Sequence, residues 1–221
     1  GYGMPSFTVL GPQIIRFPFI LTSSYPHEIL HNWWGNGVFV DYASGNWCEG
    51  LTTYGADYLY KERQSPEEAR DYRRTALQGY LDYVSEKEDS PLRDFRERED
   101  FATQAIGYGK SMMVIHQVRR LLGDERFWGA LQDFYRSYLF KRASWDDLFA
   151  AFSARAGMDL AAWKTQWLDR TGAPALSLRG RTIQGSETDG YAVTVSIGQE
   201  QAEPYDLRVP VRIGWDGSGA E

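Results

Sequence analysis

Ser24 to Tyr60 reads SYPHEILHNWWGNGVFVDYASGNWCEGLTTYGADYLY, and its first part carries the pattern His27-Glu28-Ile29-Leu30-His31. On a helix, residues four apart lie one turn above each other, so both imidazoles project from one face. That geometry lets His27 and His31 grip one metal ion, with Glu28 beside them in reach of a water at the metal. Glu49 follows eighteen positions after His31, opening a second expected helix. Packed against the first helix, its carboxylate would complete a His2Glu site. Three protein ligands leave a fourth position open, the mark of a catalytic rather than a structural zinc.

Two His and a Glu on an exposed helix need bind nothing, so the surroundings matter. The chain holds only three His, and two fall in this pentad. Tyr25, Ile29, Leu30, Trp33 and Trp34 flank it and imply a buried helix, where unpartnered imidazoles and a carboxylate would carry a desolvation penalty that a metal relieves.

These residues, His-Glu-Ile-Leu-His-Asn-Trp-Trp-Gly-Asn followed by Trp-Cys-Glu-Gly-Leu-Thr-Thr-Tyr, resemble the M1 family of zinc metallopeptidases, the aminopeptidase N and leukotriene A4 hydrolase group of gluzincins. The likeness extends to Tyr108-Gly109-Lys110, to Leu121-Leu122-Gly123 and to Trp167 through Pro174. It implies a thermolysin-like, mainly helical catalytic domain binding one Zn2+ per chain through His27, His31 and Glu49. Glu28 would be the general base, Tyr108 the donor to the oxyanion of the tetrahedral intermediate, and a peptide or protein the substrate. The sequence departs from the family in two places. The spacing from second His to Glu is one residue short, a deficit a loop absorbs but a helix would turn into a rotation of about 100°. Relatives also carry a Gly-x-Met-Glu-Asn signature whose Glu binds the substrate's α-amine, whereas Gly3-Met4-Pro5-Ser6 has Pro5 at that place, leaving the substrate-binding residues unassigned. Aminopeptidase activity is the family default; endopeptidase activity and a non-catalytic scaffold for protein binding stay open. Epoxide hydrolysis has no separate support, and a structural zinc is disfavoured by the hard Glu ligand.

The chain has 221 residues, 43% hydrophobic and 24% charged, ordinary for a globular protein able to bury a sizeable core. Its net charge of -6 argues against nucleic acid or an anionic membrane surface as partner. A single cysteine, Cys48, rules out an internal disulfide, leaves the redox compartment open, and is expected to pack facing away from the site. The most apolar run, Ile14 to Leu21, is too short to span a bilayer. The chain starts without Met and stops soon after an expected strand, so it reads as a piece of a longer protein with flanking domains.

The remaining elements follow from punctuation and period. Ser6–Leu10 and Gln13–Phe17 read as strands. The metal helix should start after Ser23 or Ser24 and stop near Gly35 or Gly37, and the second should run from about Trp47 to Arg63. Ser65-Pro66-Glu67-Glu68 opens a helix to about Glu86, followed by a solvated charged stretch to Asp100. Helices are expected over Ala102–Leu122, Asp124–Leu139, Ser144–Ala156 and Asp159–Asp169. His116 reads as a satisfied core or surface histidine. After Pro174 the period becomes two: Ala175–Leu178, Tyr191–Ile197 and Leu207–Ile213, with Asp189-Gly190 as a turn. The expected class is therefore α+β, with a helical catalytic domain over residues 1–174 and the opening strands of a β-sandwich over 175–221.

Overall fold

The computed structural model describes residues 1–215 and 218–220; the expected cut end around Asp216, Gly217 and Glu221 lies outside them. The class is α+β, and the chain divides into two compact units, Gly1–Thr171 and Gly172–Glu221.

The first unit opens with a hairpin of β1 (Tyr2–Met4) and β2 (Phe7–Val9), turned by Pro5 and by Ser6 at φ 68°. Residues 13–17, expected as a strand, form turns, because Pro18 begins a short 3-10 helix, Pro18–Thr22, instead. Helix α1 (Ser24–Leu30) is shorter than its apolar residues suggest. Ser23 precedes it, but its Oγ donates to the Phe19 carbonyl rather than capping α1. The amides of Asn32 and Trp33 step back only three residues, to Ile29 and Leu30, and this tightening ends the helix before the glycines.

The second helical run has three parts: α2 (Cys48–Thr53), a π-helical turn over Tyr54–Tyr58, and α3 (Leu59–Gln64). Ser65 then caps α4 (Pro66–Tyr83) by accepting from the Glu68 amide. The charged stretch that follows is not wholly solvated, since Leu92 and Phe95 are buried in it. Helix α5 (Phe101–Gln104) joins α6 (Ser111–Leu122) through a second π turn, Ala105–Lys110. Gly123 separates α6 from α7 (Asp124–Tyr138), and Ser144 forms a full capping box at the head of α8 (Trp145–Ala156). In α9 (Ala161–Leu168), the Asp159 carboxylate accepts from the Ala161 amide while Leu160 takes the cap position.

A parallel pair of β3 (Phe39–Val40) and β4 (Arg142–Ala143) ties the loop after α1 to the α7–α8 connection. The Trp47 indole donates to the Ala143 carbonyl at 2.7 Å, anchoring the start of α2 there. Trp34, Trp47 and Phe134 pack as a ring cluster beside it, and Phe127, Phe149 and Phe152 form another between α7 and α8. Each fully buried ring or aliphatic side chain removes apolar surface from water and contributes about 1.5–3 kcal/mol. Close approach of α2 to α6 depends on Gly50, where a Cβ would sit 1.8 Å from the Ser111 Oγ.

In the second unit, β5 (Leu176–Ser186) and β6 (Gly190–Gln199) form an antiparallel hairpin closing at Ser186 and Gly190, with a bulge between Leu178 and Gly180. Gly190, at φ 80°, follows Asp189 in the turn as their dipeptide suggests. Residues 207–212 alternate in sequence but pair with no strand among the described residues. Only β7 (Ile213–Trp215) and β8 (Ser218–Ala220) form a further ladder.

Candidate metal centre

Helix α1 places His27 and His31 one turn apart with their rings 4.9 Å apart. The first turn of α2 brings Glu49 to them: its Oε2 lies 3.3 Å from His27 Nε2 and 3.5 Å from His31 Nε2. One ligand atom from each of the three lies within 4.8 Å of the others. Tetrahedral zinc bonds of about 2.0–2.2 Å imply ligand atoms about 3.3–3.6 Å apart, which both Glu49–histidine separations meet, and two imidazoles with one carboxylate are a zinc donor set. The missing residue between His31 and Glu49 therefore does not turn the carboxylate aside.

Both imidazoles are also held from behind. His27 Nδ1 is 2.7 Å from Asp57 Oδ2, and His31 Nδ1 is 2.9 Å from the Trp34 carbonyl. With each Nδ1 engaged by an acceptor, each Nε2 is left for the shared point, the arrangement that orients metal-ligating histidines. Burial alone would lower both imidazole pKa values. Hydrogen bonds and charge from Asp57 and Glu49 outweigh it at His27, as Cys48 and Glu49 do at His31, and both are pushed up to about 10. Burial raises Glu49, but its bonds to the two imidazoles prevail and pull it down to about 2. The metal-free cluster thus holds protons that an arriving cation displaces.

The helix bearing the histidines is not the buried one expected. Glu28 is buried, yet Tyr25, Ile29 and Trp33, spaced four apart along one face, are exposed, so the apolar stripe of this helix faces outward. Strand β1 covers the Glu28 side closely: a Cβ on Gly3 would come within 2.5 Å of both the Glu28 carbonyl and His31 Cβ. Asn32 and Asn36 fasten the hairpin, Asn32 Oδ1 accepting from the Ser6 amide and Asn36 Nδ2 donating to the Gly3 carbonyl. Cys48 packs away from the shared point but lies against a candidate ligand. Its Sγ is fully buried 3.6 Å from His31 Nδ1, on the side opposite the shared point, and burial pushes its thiol pKa up.

Tyr108 lies in the second π turn with its ring stacked over His27 at 6.1 Å. Gly107 beside it admits the Phe95 ring, which a Cβ would overlap. Burial and the adjacent Glu49 carboxylate push the Tyr108 hydroxyl pKa up, so it stays a proton donor at neutral pH. His116 lies in the core, 3.3 Å from the Tyr54 hydroxyl, and burial lowers it to about 4. Sequence reading missed Asp57 and the Trp34 carbonyl; the first has an irregular spacing, and a backbone group carries no residue signal.

The sequence model of the peptidase family M1 domain matches residues 22–167. The chain is similar to Saccharomyces cerevisiae aminopeptidase 2, mitochondrial, at 27% identity over 69% of this chain and 16% of that protein. It is 26% identical to Escherichia coli aminopeptidase N over 85% of this chain and 22% of that protein. It thus spans at most about a fifth of either relative's length. Among solved structures, a mutant M1 zinc metallopeptidase of Deinococcus radiodurans bound to a Tyr-Ser-Ala substrate matches with TM-score 0.54 and 25% identity, over 68% of this chain and 33% of that one. Among the described residues no helix is long and apolar enough to cross a membrane. With the motif, the cluster and a family match over residues 22–167 in agreement, this chain belongs to peptidase family M1.

Proposed function

We propose that the protein of which this chain forms part is a zinc-dependent aminopeptidase, with His27, His31 and Glu49 holding one zinc ion. The observation that carries this reading is the meeting of two Nε2 atoms at one Glu49 oxygen while each Nδ1 is taken by another acceptor. Bound zinc supplies Lewis acidity, polarising the scissile carbonyl and lowering the pKa of water towards about 7. Glu28 acts as general base, taking a proton from the attacking water and passing it to the leaving amine. Tyr108 donates its hydroxyl proton in a hydrogen bond to the developing oxyanion. The reading is supported by the aminopeptidase names of the relatives and by the peptide bound in the Deinococcus radiodurans structure.

One observation favours cleavage within a peptide as a second reading. Residues 1–27 contain no Asp or Glu, and Pro5 sits in the β1–β2 turn, so that wall offers no carboxylate to a free amine. Assaying the full-length protein on free and N-acetylated peptides separates the two. Hydrolysis confined to free amino termini, lost on chelation and restored by zinc, supports the aminopeptidase. Equal hydrolysis of blocked peptides contradicts it.

A further inference from the structure

Glu49 and Asp57 approach opposite nitrogens of His27 although they stand eight residues apart in one helical run. At 3.6 residues per turn eight residues advance about 800°, so an unbroken α-helix would aim Asp57 about 80° away from Glu49. Seven residues advance about 700°, which would put Ala56 on that side instead. The π turn Tyr54–Tyr58 takes up the difference. Such wide turns are rare and cluster at functional sites, so something must hold this one open.

Behind it lies a polar network that runs from two buried tyrosines out to the surface. The rings of Tyr54 and Tyr58, both fully buried, stack at 5.0 Å with 19° between their planes. Arg119 of α6 donates to the Tyr54 hydroxyl at 3.1 Å and to Glu62 at 2.7 Å, while Tyr54 faces neutral His116. The Tyr58 hydroxyl donates to Glu62 at 3.1 Å and accepts from Arg73 of α4 at 2.6 Å. Asp124, opening α7, fixes the Arg119 guanidinium through two bonds of 2.8 and 3.1 Å. One arginine thus grips the first residue of the π turn and the α3 residue just beyond it.

We propose that Tyr54 and Arg119 are positioning residues for the metal centre: they hold the π turn, the turn aims Asp57, and Asp57 orients His27. This rests on reading His27 as a metal ligand. Neither residue is among the three donors, and the proposal routes their effect through Asp57.

The test compares Tyr54→Phe, Asp57→Asn and the double variant in the full-length protein, with Arg119→Lys as a second probe should Tyr54→Phe fail to fold. In the metal-free protein, proton NMR of the His27 Nδ1–H reads its bond to Asp57; Tyr54→Phe is expected to shift that signal. Chelator competition then reads zinc affinity, expected to fall about tenfold in Tyr54→Phe, the lower end for residues supporting a ligand. In the Asp57→Asn background Tyr54→Phe should cost nothing further. An unmoved NMR signal with only a lower melting temperature overturns the proposal, as does an equal affinity loss in both backgrounds. A wild-type protein that takes up no zinc defeats the metal reading, while the NMR comparison still decides the positioning claim.

Discussion

Helix α1 with its cap brings two of the three donors and the run from Cys48 to Gln64 brings the third, from opposite structural circumstances. Within α1 only Glu28 is buried, and Ile29 is 37% exposed. In the second run Cys48, Leu51, Tyr54 and Tyr58 are all at most 4% exposed, and Trp47 before them is sealed into the aromatic core. The histidines therefore keep their geometry through polar contacts: Asp57 and the Trp34 carbonyl on their rings, and the asparagine links to the hairpin. Glu49 keeps its place because hydrophobic packing locks its helix. Chemistry and stability should then separate by helix: substitutions in α1 alter the reaction, and those in the second run alter the fold first.

Glu28→Gln is the strongest challenge to that division. It should lower kcat by about 10²–10⁴-fold, the share of general acid–base catalysis, with melting temperature and zinc content unchanged. Peptide hydrolysis alongside thermal melts checks it, and surviving activity removes Glu28 from the mechanism. Leu51→Ala should do the reverse, destabilising the protein by about 2–5 kcal/mol in a denaturant titration because it empties a site only 1% exposed. The two helices also differ in what they hold at neutral pH. His27 and His31, raised to about 10, carry protons there, whereas Glu49, lowered to about 2, carries none. Zinc uptake should release up to about two protons from the α1 side, and affinity should climb as pH rises from 6.5 towards 10. Calorimetry in buffers of different ionisation heat counts those protons; a count of zero contradicts the assignment. The same shifts stabilise the metal-free fold below the ordinary histidine pKa, and that stability is lost as pH rises through about 10. Ile29→Ala should change stability by about 0.5 kcal/mol or less. A loss near that of Leu51→Ala would erase the contrast between the helices.

Where local rules govern, the sequence was legible. The pentad places two imidazoles on one face by helix period alone, and a carboxylate opening the next helix could meet them. Gly123, Ser144 and Asp189-Gly190 end, cap and turn their elements as their chemistry dictates. Legibility failed where the third dimension decides. The apolar stripe of Tyr25, Ile29 and Trp33 implies burial, but it stays exposed beside the hairpin while Glu28 is covered. Cys48 looks away from the shared point because neighbours on a helix diverge, but helix period does not announce that the His31 ring lies against its sulfur. Asp57 escaped notice because an unbroken α-helix would set it about 80° from Glu49, and no sequence pattern announces the π turn that swings it in. Residues 207–212 alternate like a strand, but a strand needs a neighbour, and alternation does not supply one.

Zinc-edge X-ray absorption on the zinc-loaded full-length protein tests the central claim most directly, because Cys48 sits next to Glu49 and against His31. The account predicts one zinc per chain bound by nitrogen and oxygen only, at about 2.0–2.2 Å. A sulfur shell at about 2.3 Å, or the absence of stoichiometric zinc, would contradict it.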